Sequence, residues 1–116
     1  MKIAAAIALL AATPLLAQAP AKPLTMEQQT SLRCSAAFAI VAARQNAGAV
    51  RTYPELTQRG REFFVRSGAR LMDDAGLTRA QVQALMEAEA RTLAADNQAL
   101  QDVMPACLLL LDASGL

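Results

Sequence analysis

The side chains with most chemical potential are two cysteines, Cys34 and Cys107, and a set of carboxylates and arginines; the chain has no histidine. Without imidazole there is no Ser-His or Cys-His nucleophile pair, and the zinc sites of Cys/His type and haem attachment also go. The cysteines stand 73 positions apart, whereas a dithiol redox enzyme usually spaces them two residues apart. Met104-Pro105-Ala106-Cys107 could supply half of a soft-metal site, but Met and Cys at helical spacing on an apolar face read as core. No metal site and no cofactor are expected.

Asp73-Asp74 has the residue types of a general acid–base pair. Adjacent helical residues point in different directions, so the two carboxylates do not converge on one atom. No Gly-rich phosphate loop accompanies them. The one catalytic form left open is a carboxylate dyad assembled from distant residues; the expectation is that the protein is not an enzyme. Arg59, Arg66 and Arg70 fall on one side of a helical stretch, and such a row can grip a carboxylate or phosphate. They are the candidate partner-binding residues.

Compartment decides how the cysteines are read. Met1-Lys2 is a short positive start, Ile3 to Leu16 is apolar except for Thr13 and Pro14, and small residues follow. This is the layout of a secretory signal peptide, too short to span a membrane. Residues 1–21 are assigned to it, with the cut between Ala17 and Ala21, and residues 22–116 form a single domain. The predicted location is periplasmic or secreted, with no membrane insertion after signal removal. In an oxidising compartment two cysteines in a small domain pair, so a Cys34–Cys107 disulfide is expected.

From Lys22 onward ten basic and ten acidic residues cancel. A neutral total argues against nucleic acid as a partner. Charge is segregated, however: Arg33 to Arg70 holds seven Arg and two Glu, and Asp73 to Asp112 holds seven acids and two Arg. Either the halves fold against each other, or the Arg-rich half meets an acidic partner or a second copy.

These groups must be carried by helices. Alanine is abundant, aromatics and β-branched residues are few, and no period-two alternation marks a strand. Four helices are predicted, over roughly 25–46, 54–74, 79–95 and 97–113, as a compact all-α bundle. Thr25 with Gln28 and Thr78 with Gln81 are capping boxes, and Thr52 with Glu55 repeats the pattern around Pro54. Gly48 and Gly76 are stops. Asp96 caps the last helix, which Pro105 is expected to kink or restart; one continuous helix through 79–104 is the alternative. The stripe Leu56, Gly60, Phe63, Phe64, Ser67 and Leu71 faces the core, with Gly60 and Gly68 serving close packing. Leu100, Met104, Cys107 and the run Leu108 to Leu111 are also assigned to the core. Glu55–Arg59, Glu62–Arg66 and Glu87–Arg91 are spaced as (i, i+4) ion pairs.

Arg33-Cys34-Ser35-Ala36-Ala37-Phe38, Tyr53-Pro54-Glu55-Leu56, Arg59-Gly60-Arg61-Glu62-Phe63-Phe64 and Met104-Pro105-Ala106-Cys107-Leu108 together resemble small exported bacterial proteins of unassigned function. That resemblance implies an all-helical domain with two cysteines and brings no activity with it. In size, location and one-disulfide plan the chain is also similar to periplasmic acid-stress chaperones, without a shared motif. The residues thus point to a periplasmic binding domain whose partner is an envelope protein or a second copy. An acid- or stress-responsive chaperone is the alternative, and an enzyme with a carboxylate-based site ranks behind both.

Overall fold

The structure is a computed structural model that describes residues 22–116; the signal-peptide assignment over 1–21 lies outside them. Four helices follow one another: α1 (Met26–Asn46), α2 (Thr57–Ala75), α3 (Arg79–Ala95) and α4 (Asn97–Ala113). No strand occurs among the described residues. No helix there is long and apolar enough to cross a membrane.

Local chemistry sets most of the boundaries. Thr25 accepts from the Gln28 backbone N–H at 3.1 Å, and the Thr25 N–H donates to Gln28 Oε1 at 2.9 Å. Thr78 and Gln81 make the same reciprocal pair at the start of α3. Two orphan donors are satisfied at each helix start. The Asp96 carboxylate accepts from the N–H groups of Gln98 and Ala99, so α3 and α4 are separate helices that meet at one residue. Gly76 ends α2 in the left-handed region, with φ 66°.

The second helix begins later than its sequence pattern suggests, at Thr57 and not at residue 54, and it ends at Ala75. The Thr52–Glu55 capping box does not form. Gln45 at the end of α1 holds the connection instead: its Nε2 donates to the carbonyls of Tyr53 and Pro54, and its Oε1 accepts from the Leu56 N–H at 3.0 Å. Those backbone groups are thereby withdrawn from the first helical turn. Glu55 accepts from the backbone N–H and hydroxyl of Thr57. Leu56 is the boundary residue, with no side-chain cap of its own.

α1 lies at the centre and packs against the other three helices. Its run Cys34 to Phe38 is buried, as is Val41. Because four of those five residues are small (Cys34, Ser35, Ala36 and Ala37), neighbouring helices approach closely. One apolar cluster joins Phe38, Phe63, Leu56, Leu93, Leu100, Met104 and Leu111 around the two cysteines. A second, smaller one joins Leu32, Leu71, Leu77, Val82 and Met86. Phe38 and Phe63 meet edge-on, with ring centroids 5.2 Å apart.

Two core assignments need correction. Phe64 and Leu109 are 38% and 71% exposed. Phe64 follows the buried Phe63, and Leu109 stands between the half-buried Leu108 and Leu110, so that only Leu111 of the Leu108–Leu111 run is buried. A helix turns about 100° per residue, so on α2 and α4, unlike the all-round buried middle of α1, consecutive apolar residues cannot all point inward. Pro105 causes no restart: α4 is assigned as helix from Asn97 to Ala113, with Pro105 inside it and exposed.

Candidate binding cleft

Cys34 on α1 and Cys107 on α4 form the expected disulfide, with Cα atoms 5.2 Å apart. Both are buried within the larger apolar cluster. The bond ties the first helix to the last across that cluster. Its surroundings are those of a structural staple, since a reactive sulfur needs access and an electropositive neighbourhood.

The three candidate arginines separate into two roles. Arg59 is used internally: its Nε donates to the Leu116 carbonyl and its guanidinium meets the Asp112 carboxylate, both at 2.8 Å. It anchors the end of α4 to α2. Arg66 and Arg70 lie about two and three helical turns further along, and neither has a hydrogen bond or ion pair among the described residues.

The (i, i+4) ion pairs expected on α2 and α3 do not form. Glu55 is occupied by Thr57, and Arg59 by Asp112. The pairs that do form cross between helices, Arg33–Glu89 at 3.6 Å and Arg59–Asp112. Each joins the Arg-rich half to the acidic half. Part of the charge segregation is therefore consumed inside the fold, and Arg51, Arg61, Arg66 and Arg70 are left over, of which Arg66 and Arg70 share one recess.

Both free arginines line a recess of about 340 Å³ between α1, α2 and the end of α4. Phe63 and Leu110 supply apolar wall, Ser31 and Ser67 supply hydroxyls, and Glu27 stands on the α1 side. A second recess, of about 210 Å³, shares Arg70, Ser67, Ser31 and Glu27 and adds Asp74. Ser67 is 7% exposed as a residue; its hydroxyl has no protein partner among the described residues and keeps access to the recess. A buried serine in a helix commonly bonds back to the carbonyl four residues earlier; Ser35 does so, donating to Ser31 at 2.8 Å. Ser67 does not, which leaves it available to the recesses it lines.

Asp73 and Asp74 are both exposed at the end of α2, and Asp74 lines the smaller of the two recesses. No group of three or more Cys, Asp or Glu able to hold a metal occurs among the described residues. Sequence reading missed Ser67 as a polar group and Gln45 as a clamp. The signal for Ser67 was a lone serine on an otherwise apolar stripe. Gln45 carried no local signal.

No family model matches the chain, and neither the curated proteins nor the solved structures contain a significant match.

Proposed function

We propose that the protein is a non-catalytic binding domain of the periplasm, engaging an anionic partner through the Arg66–Arg70 side of α2. The observation that carries the reading is the contrast between Arg59, which is committed to Asp112 and Leu116, and Arg66 and Arg70, which have no internal partner. Two unpaired guanidiniums beside one another form a ready receptor for carboxylates. The partner is another envelope protein or the acidic half of a second copy. The disulfide and the lack of a membrane-spanning helix among the described residues are compatible with an oxidising, exported location.

The test is Arg66→Glu with Arg70→Glu, leaving Arg59 intact because its loss would disturb the α2–α4 contact. Cross-linking in the producing cell should lose its adducts in the double variant. Sedimentation of the purified protein separates self-association from capture of another protein. An unchanged adduct pattern in a folded double variant sinks the proposal.

A second reading is a chaperone released by acid. It is favoured by Arg33–Glu89 and Arg59–Asp112, the ion pairs that join the basic half to the acidic half. Acidified protein should then suppress aggregation of a client, and failure at every pH would remove this reading.

A further inference from the structure

The recess beside Arg66 and Arg70 is more specific than a basic patch. It combines charge, an unpartnered hydroxyl and an apolar wall within one volume of about 340 Å³, the size class of small-ligand pockets. We propose that it binds a small amphiphilic carboxylate, the head held by Arg66, Arg70 and Ser67 and the alkyl body lying along Phe63 and Leu110. This rests on the reading of Arg66 and Arg70 as anion-facing and names a ligand class for that site.

Three observations converge. First, the ionic groups lining the larger recess are two arginines and a single carboxylate, Glu27. The smaller recess has Arg70 against Glu27 and Asp74. An anionic head therefore settles on the Arg66 side and is repelled from the Asp74 side. Second, the Ser67 hydroxyl makes no hydrogen bond among the described residues and opens into the recess from a residue that is otherwise buried. Because no protein acceptor competes for it, that hydroxyl is free to donate to an oxyanion seated between the two arginines. Third, Phe63 and Leu110 sit in the same lining as the arginines and bring apolar surface close to the charge. A simple inorganic anion would leave that surface unused. A carboxylate with an alkyl body covers it and gains the corresponding hydrophobic contribution.

The test is titration of the ¹⁵N-labelled protein, followed by amide shifts, with three probes: octanoate, acetate and octyltrimethylammonium. Octanoate should saturate, moving the amides of Arg66, Ser67, Arg70 and Leu110 together. Acetate at equal concentration should not saturate, because it lacks the apolar body. The cationic amphiphile should fail because its head is repelled. Arg66→Gln with Arg70→Gln should weaken octanoate binding about tenfold or more, as expected for charge-assisted hydrogen bonds. Ser67→Ala should weaken it several-fold with unchanged circular dichroism, and Glu27→Gln should strengthen it. Equal binding of octanoate and the cationic amphiphile would overturn the proposal. So would an octanoate affinity indifferent to the Arg pair. If octanoate never saturates while the charge-reversed double variant still loses its cross-linked partner, the recess proposal fails and the protein-binding reading stands. If octanoate binds as described but no adduct depends on the arginines, the reverse holds.

Discussion

A methyl group added at Gly60 would lie 3.1 Å from the Cβ of Phe38. Gly60 is thus the point where α2 presses against α1, and Phe38 cannot give way easily, being fully buried and edge-on to Phe63. Gly68, two turns on, is different: its added methyl would meet Val82 Cγ1 at 3.7 Å, an ordinary contact.

The two glycines therefore predict opposite outcomes for the same substitution. Alanine gains up to about 1 kcal/mol over glycine in a helix interior, while overpacking a core costs about 1–3 kcal/mol. Gly68→Ala should stabilise the protein by about 0.5–1 kcal/mol. Gly60→Ala should destabilise it by about 1–2 kcal/mol, since α1 and α2 must separate. Urea titrations of the two variants decide the matter. A Gly60→Ala protein as stable as Gly68→Ala would mean that the α1–α2 contact is looser than described.

Removing the disulfide should be the largest single change. In the chain-entropy model, closing a loop of this length contributes about 4 kcal/mol, against the 5–15 kcal/mol or so that holds a typical domain together. Cys34→Ser with Cys107→Ser should keep a helical far-ultraviolet spectrum and lose at least ten degrees or so of Tm. The unreduced wild type should resist thiol reagents at both positions, because the sulfurs are bonded and buried at 1% and 2% exposure. Ready alkylation of native, unreduced protein contradicts the bond.

What could be read from the chain beforehand follows a physical divide. Thr25 with Gln28 and Thr78 with Gln81 were legible because both partners lie within one helical turn, and so was Asp96 over Gln98 and Ala99. The buried positions Leu100, Met104, Cys107 and Leu111 were legible from their helical spacing. Thr52 and Glu55 had the same local pattern, but Gln45 takes the backbone groups of residues 53–56 first. That competition runs across a loop and leaves no periodic trace. The candidate site was half legible for the same reason. The row Arg59, Arg66 and Arg70 shows in one helix, whereas the departure of Arg59 to Asp112 and Leu116 depends on where α4 ends.

Gln45 should accordingly behave as a structural keystone despite its polarity. Its loss leaves the half-buried Leu56 N–H and two carbonyls in need of partners. An unsatisfied buried donor costs about 1–3 kcal/mol. Gln45→Ala should lower stability by that order and speed hydrogen exchange at Leu56 and Thr57 while leaving α3 unaffected. Gln45→Glu, which keeps the acceptor for Leu56 but loses the donors to Tyr53 and Pro54, should protect the Leu56 amide better than alanine does. Equal exchange in both variants would mean that the Leu56 bond is dispensable.

Glu55 makes the start of α2 sensitive to pH. Hydrogen bonds from the Thr57 hydroxyl and then from the Thr57 backbone N–H hold its carboxyl below the ordinary value. A carboxyl depressed in the folded protein favours folding at pH above its unfolded value, and that contribution fades as pH falls through the folded one. The stabilisation is therefore complete at neutral pH and is lost below the usual carboxylate range. Because Glu55 is exposed, the effect should be small and confined to the first turn of α2. Glu55→Gln should lower the amide protection of Thr57 at pH 7, and the difference from wild type should shrink in acid as the wild-type carboxyl takes up its proton. A difference that instead grew as the pH fell would assign the cap to another group.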